Sequence, residues 1–531
     1  MKKLYNIDLR DDNLYKLFES RFLLLFTGLI CGVAGVSFSA ELGVNPFILF
    51  FGILIAIYIG FSGLKKSVTS PVFIYFVTQF IFIWLYMDEK ILGHFNFSAK
   101  VNMLTLGIAS FTTLFYFFNH FNYLWKNFPA FRYLTIFFAI NIPYFFLYHS
   151  DFNLANYKTG YDLRLNSQYE GSNANFIVFL DSLCPLIGYT VGLMVFKNAK
   201  NYAQVVDTMK NIIDKTAKIF WIYYSIMIVT VLIGFNTPEF FANRLRIEFI
   251  GDYGPQIFLS LFLILFLAFK IYKDNFTNET IKLNFIKLVP LILINTILIF
   301  LLGNRTSLIA LTASTSIFIL YALKLGFKVQ SINLNTRTRR FIKTAFELSM
   351  IIIPVLIAFY LIFATPEALT NKIDEFLNPA TLDVRTSNWD LFTNEWIDRL
   401  NFNTALFGFG LGASRETIFF VSAMQGVGHL VQTVHNHIAE VVFDYGALSI
   451  FYFMSYLYIF LKSLMNIRRY PNLKIKLFSL VNVCLIIFFF IYHQTDGIKV
   501  TTGLIFFSMV GFMDSLIHGL LHNKEEYTKI K

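Results

Sequence analysis

Charge is scarce in this sequence: Asp, Glu, Lys and Arg make up 15% of its 531 residues, against 56% hydrophobic residues. A soluble globular chain carries about 25% charged residues, so that class is excluded. Cysteine is scarcer still. Its three occurrences, Cys31, Cys184 and Cys484, all fall inside apolar runs, which leaves neither a disulfide framework nor a Cys-based metal site and suggests no redox role. The sequence also lacks a dinucleotide fingerprint. Gly408-Phe409-Gly410-Leu411-Gly412 does not have the required spacing or a strand-to-helix setting, and reads as a tight turn instead. Internal repeats, low-complexity tracts and a separate soluble domain are likewise missing.

What is abundant is apolar surface, with 65 Phe and 28 Tyr, a surplus suited to lipid-facing helices and interfacial aromatic belts. A bilayer core about 30 Å thick needs roughly 20 apolar residues per crossing helix. Runs of that kind are found at 22-40, 46-62, 71-87, 101-118, 132-149, 174-196, 219-236, 255-272, 285-303, 306-323, 345-364, 438-461, 477-493 and 498-518. The expected fold class is therefore an all-α polytopic membrane protein of about 14 transmembrane helices, with residues 1-531 forming a single membrane domain. The first run resembles a signal peptide ending near Ala40, but the long, partly acidic segment before it and the spans after it favour a first transmembrane helix.

The placement of cations orients the chain. Of the 44 Lys and Arg residues, 32 fall on the side that carries both termini and 12 on the other. The positive-inside rule then makes both termini cytoplasmic. The net charge of +11 reflects this asymmetry, so no nucleic acid partner is needed to explain it. The expected location is a bacterial inner membrane.

Among the outward connections the longest is 365-437, a large periplasmic loop between transmembrane helices 11 and 12. Long loops in compact proteins tend to carry function. This one holds Arg385-Thr386-Ser387-Asn388-Trp389, then Trp396 and Arg399 in a helix-like stretch, the glycine turn, His429, and His435-Asn436-His437. From Asn436 to Tyr445 the polar residues Asn436, His437, Glu440 and Asp444 recur at helical spacing, giving an amphipathic start to the twelfth span.

In order, an Arg-x3-Trp segment, the glycine turn after Thr404-Ala405-Leu406-Phe407, and His435-Asn436 followed ten residues later by Gly446 resemble the O-antigen ligase and polymerase superfamily of bacterial membrane glycosyltransferases. Gly303-Asn304-Arg305-Thr306-Ser307 resembles that family's Arg-bearing segment before the loop. The resemblance covers about residues 295 to 465. It departs where a second Gly commonly follows the first by three, because Ser449 stands there.

The resemblance implies a class C glycosyltransferase that uses glycan linked to undecaprenyl pyrophosphate at the periplasmic face, without a nucleotide sugar, metal or other cofactor. Its implied partners are that lipid-linked oligosaccharide, membrane lipids, and a chain-length regulator or other polysaccharide assembly proteins. Pyrophosphate calls for Arg, whose planar fork binds phosphate oxygens in pairs and stays charged. Arg305 and Arg385 are the leading candidates, with Arg399, Arg244 and Arg246 behind them. His435 matches the family's critical His and would act as base on an acceptor hydroxyl, whereas His437, two residues on, points elsewhere on a helix. Asn436 and Glu440 are candidate substrate contacts, although Glu440 and Asp444 read equally well as the wet face of an interfacial helix. Asp181, about two turns inside the sixth span and just before Pro185, is either a functional ionisable group or the partner of an outer Arg. Asp514, near a helix end, is given no role. Polymerase is the first expectation for the activity. A ligase to lipid A core or a protein oligosaccharyltransferase are alternatives, and a lipid-linked oligosaccharide flippase is the competitor from another class.

Overall fold

The structure, a computed structural model, describes residues 117–149 except 119, 174–194, 282–283, 292, 296, 305–324, 328–329, 380–424, 434, 436–494 and 500–522. The expected spans 22-40, 46-62, 71-87, 219-236, 255-272 and 345-364 lie outside these residues, as does nearly all of 101-118 and 285-303.

The described part is mostly helical. In chain order it comprises α1 (Pro129–Leu147), α2 (Ala174–Met194), β1 (Lys282–Leu283), α3 (Arg305–Lys324), β2 (Lys328–Val329), α4 (Ala380–Arg399), α5 (Phe402–Phe407), α6 (Ala413–Met424), α7 (His437–Tyr445), a 3-10 turn (Gly446–Ser449), α8 (Ile450–Arg469), α9 (Leu473–His493) and α10 (Val500–His522). β1 and β2 pair in parallel over two residues each, Lys282 opposite Lys328.

Three helical stretches among the described residues are long and apolar enough to cross a membrane: Pro129–Leu147, His437–Arg469 and Leu473–His493. The chain is accordingly a helical membrane protein. The second stretch is not one uniform helix. Gly446 adopts φ 55°, a conformation that an α-helix cannot continue through, and the 3-10 turn links the amphipathic α7 to the apolar α8.

In lipid, helices gain little from hiding apolar surface from one another, so association rests on close packing and polar contacts between them. Both appear. α2 and α10 cross where Gly192 faces Gly511. A Cβ on Gly192 would run into the backbone of Ser508 and Phe512, and one on Gly511 into the backbone of Tyr189. α9 is the central helix, packed by α3, α8 and α10 and buried on nearly every face. Pro143 and Pro185 stand inside α1 and α2. Pro185 has no N–H to donate back to the Asp181 carbonyl four residues earlier, which loosens α2 at that residue.

Side-chain contacts separate the two ends of the bundle. At one end Tyr123 Oη meets His518 Nε2 at 3.2 Å. Nearby, Lys462 approaches Asp514 at 3.4 Å and lies over the ring of Phe128. Asp514 is almost fully buried and also accepts the Tyr189 hydroxyl at 2.5 Å, so this helix-end carboxylate ties α2, α8 and α10 together. At the other end Tyr148 and His149 meet the glycine turn, with Leu411 N–H donating to the Tyr148 carbonyl at 3.1 Å.

The long connection forms a packed cap at that second end. Its own small core contains Phe392, Ala413, Ile418, Val434 and Phe443, flanked by Trp389, Trp396 and Phe409. Phe443 of α7 is its pillar. Phe409 stacks on it at 4.3 Å between ring centres and Phe392 packs at 4.7 Å, while Trp389 Nε1–H donates to the Val434 carbonyl at 2.7 Å. The helix-like stretch expected around Trp396 and Arg399 is the end of α4.

Candidate functional site

The glycine turn is built as its composition requires. Gly408, Gly410 and Gly412 have φ of 75°, 101° and 83°, values that L side chains rarely adopt. The turn lies along the last residues of α7: Phe409 N–H donates to the Phe443 carbonyl at 2.9 Å and Gly410 N–H to the Asp444 carbonyl at 3.1 Å. A Cβ on Gly408 would collide with the Asp444 backbone, and one on Gly446 with Gly408 and Ala405. Two glycines thus meet where neither position has room for a side chain.

This contact sets the start of α6. The Asp444 carboxylate accepts from Gly412 N–H at 3.2 Å and from Ser414 N–H at 2.8 Å. It satisfies donors that a helix N-terminus leaves open, and it complements the positive end of the helix dipole. Arg415 follows in the first turn of α6, and its Nη2 donates to Asp181 Oδ2 of α2 at 2.8 Å. Both side chains are buried, Arg415 at 8% exposure and Asp181 at 6%. Of the two readings of Asp181, the structure realises pairing with an Arg of the long connection.

α7 supplies the rest. Asn436 caps it by accepting from Ala439 N–H at 3.1 Å, and Glu440 Oε1 accepts from Val434 N–H at 3.0 Å. Glu440 and Asp444 are therefore not the wet face of an interfacial helix; both are buried and hold backbone N–H groups. His437 opens the helix and is turned inward, where it is buried. The expectation that His437 points elsewhere than His435 involves a residue outside the described ones. The cap at Asn436 sets the helical phase, and that phase directs position 437 into the bundle.

A polar file continues from there along α8. His437 Nε2 meets Tyr452 Oη at 3.1 Å, and Tyr452 in turn bonds to the hydroxyl of Tyr456. The ring of His493, from α9, lies 4.6 Å from that of His437. Tyr445 bonds to Asn141 of α1. Asp181 with Arg415, and His437 with Tyr452 and Tyr456, thus form two largely buried polar groups contributed by α2 and α6 and by α7 and α8. The first holds paired charge at the cap, and the second joins an imidazole to two phenols. Among the described residues no group of three His, Cys, Asp or Glu side chains has the arrangement of a metal site.

The residues expected from the sequence are distributed unevenly. Asp181, Asn436 and Glu440 belong to these groups or to the backbone that shapes them. Arg399 stands apart on the exposed side, 3.7 Å from Glu395, 3.4 Å from Thr417 and over the ring of Phe409 at 5.0 Å. Arg305 begins α3 and Arg385 lies within α4, but their side chains lie outside the described residues, as do His435, Arg244 and Arg246 altogether. Sequence reasoning passed over Arg415, counting it only among the outer cations, and gave no role to Tyr452, Tyr456 or His493. The available signal was an Arg three residues beyond the glycine turn at the start of an otherwise apolar helix, together with an Asp inside a span that required a partner.

No protein-family model matches the chain, and no curated protein matches it.

Proposed function

We propose that the chain is a membrane glycosyltransferase of about fourteen transmembrane helices, in which a polyprenyl-pyrophosphate-linked glycan is transferred onto the next lipid-linked repeat unit at the outer face. The observation that carries this reading is the buried Asp181–Arg415 pair, 2.8 Å apart beneath the glycine turn. It concentrates charge at the end of an apolar bundle, where a lipid-borne anion and a hydroxyl acceptor would meet. Internal contacts support the fourteen-helix alternation. The β1–β2 pair joins two connections that this alternation puts on one side, the Tyr123–His518 contact joins a connection of that side to the end of the last span, and the His149–Leu411 bridge joins the opposite end of the fifth span to the long connection.

In the proposed step the acceptor oxygen forms a bond to the donor sugar C1 as the bond from C1 to the pyrophosphate oxygen breaks, and the carrier leaves with both phosphates. Arg305 and Arg385 hold the departing pyrophosphate. His435 takes the proton from the acceptor hydroxyl. Charge neutralisation by Arg serves the leaving group more than the ground state, which is the requirement for acceleration.

The test is purified protein incubated with lipid-linked repeat units, followed by gel and mass analysis. Lengthened lipid-linked chains support the reading. Transbilayer movement of donor in liposomes without transfer to any acceptor refutes it in favour of a flippase. Arg305→Ala and His435→Ala, compared at equal membrane levels, are each expected to abolish lengthening, and undiminished output from both removes the site assignment.

A further inference from the structure

Among the described residues the long connection carries an exposed apolar face. Ile397 and Leu400 at the end of α4, and Phe402, Leu406 and Phe407 in α5, are all exposed, Phe402 at 81%. Large apolar side chains grouped in this way on a packed segment mark a contact surface. This one is continuous with the end of α1, where Phe146 and Leu147 are also exposed, Leu147 at 83%. The seam between them is made of hydrogen bonds: Tyr144 Oη–H donates to the Phe407 carbonyl at 2.5 Å and Tyr148 Oη–H to the Gly408 carbonyl at 2.8 Å.

α5 is also built to tolerate a weakly hydrated setting, in which unsatisfied backbone groups are costly. At its N-terminus Asn401 Oδ1 accepts from the N–H groups of Asn403 and Thr404 at 2.9 and 3.0 Å, and Thr404 Oγ1 accepts from Asn401 N–H at 2.8 Å. At its C-terminus Gly408 N–H returns to the Thr404 carbonyl at 2.8 Å, and Tyr144 and Tyr148 take the carbonyls of Phe407 and Gly408. Arg399 closes the polar edge, its guanidinium lying over Phe409, as expected of a long cationic side chain at an interface.

We propose that α5 and the adjoining end of α4 are a membrane-docking element: the Ile397, Leu400, Phe402, Leu406 and Phe407 face enters the acyl region of the leaflet that the end of α1 reaches. The partner is the bilayer itself. A short amphipathic helix joined to the end of a span buries its apolar side at the headgroup boundary in this manner. The docking fixes the height of the glycine turn, and of Arg415 behind it, relative to the lipid headgroups. It requires that α1 crosses the membrane and does not depend on glycosyl transfer.

The experiment places a nitroxide label at Phe402→Cys, Leu406→Cys, Asn403→Cys and Phe146→Cys, one at a time, in full-length protein reconstituted in phosphatidylethanolamine and phosphatidylglycerol vesicles. Cys184 and Cys484 are buried, and unmutated protein taken through the same labelling supplies the background. Collisions with oxygen, which partitions into lipid, are compared with collisions with a water-soluble nickel chelate. The expected result is an oxygen-to-nickel ratio at 402 and 406 that rises to the value at 146 and exceeds that at 403. A ratio at 402 and 406 equal to that at 403, with 146 lipid-exposed, overturns the proposal. So does low collision with both reagents, which would mean that protein covers the face, and a water-exposed label at 146 would overturn the span on which it rests.

Discussion

The Asp181–Arg415 pair permits a test in which stability and activity separate. The two groups lie 2.8 Å apart at under a tenth exposure each. At an effective dielectric constant of about 20, charges some 4 Å apart attract by about 4 kcal/mol, offset in large part by the cost of withdrawing both from water. Removing one partner discards the attraction and keeps the other's desolvation cost. Asp181→Leu or Arg415→Met alone is therefore expected to destabilise by about 3–5 kcal/mol. The double variant Asp181→Leu/Arg415→Met removes both charges and is expected to lie within about 1–2 kcal/mol of the parent. Reversible unfolding in mixed micelles of increasing SDS fraction measures all four proteins and yields the coupling energy, expected at about 4 kcal/mol or more, above the 0.5–3 kcal/mol usual for contacting residues. A coupling energy below about 0.5 kcal/mol would refute the claim that the two groups form one energetic unit. If the double variant folds, its glycan output then asks the second question. Loss of chain lengthening in a stable double variant assigns Arg415 to the chemistry, whereas full output makes the pair a fastener between α2 and α6.

Three further expectations follow from neighbouring contacts. Asp444→Ala removes the acceptor of the Gly412 and Ser414 N–H groups and should cost about 2 kcal/mol in the same unfolding assay; an unchanged midpoint would mean that the carboxylate does not hold the start of α6. Gly446→Ala forces a side chain to φ 55° against Gly408 and Ala405 and should cost at least about 1–3 kcal/mol, while Ala447→Gly, at an exposed neighbour, provides the control for stability change without that clash. Tyr452→Phe keeps the ring but removes the hydroxyl that His437 and Tyr456 share, and should cost about 1 kcal/mol. If the hydroxyl also conducts protons, the pH profile of chain lengthening should change shape, and a profile superimposable on the parent's would restrict Tyr452 to packing.

Helix existence was legible from apolar run length alone: α1, α2, α3, α9 and α10 lie where the sequence places spans, because lipid imposes a length that composition reports directly. The glycine turn was legible too, since three glycines at alternate positions leave few alternatives to positive φ. The pairing of Asp181 with Arg415 was not. The two are 234 residues apart, and no local pattern encodes which of several outer arginines reaches a given carboxylate. Nor was the inward turn of His437, because a shift of one residue in the helix start rotates every later side chain by about 100°. That phase was fixed by Asn436, which reads in sequence as a substrate contact and in the fold as a cap. The break at Gly446 was hidden because it falls inside the run 438-461 that reads as one span.

The crossing of α2 and α10 at Gly192 and Gly511 has a mechanical consequence. Backbones pressed together without intervening side chains cannot slide freely, so the two helices move as one strut. Asp181 sits on that strut at the capped end, and Tyr189, eight residues along the same helix and about 12 Å further on, holds Asp514 at 2.5 Å. A displacement of Arg415 from Asp181 at the capped end would therefore be carried along α2 to the Tyr189–Asp514–Lys462 junction at the other end of the bundle.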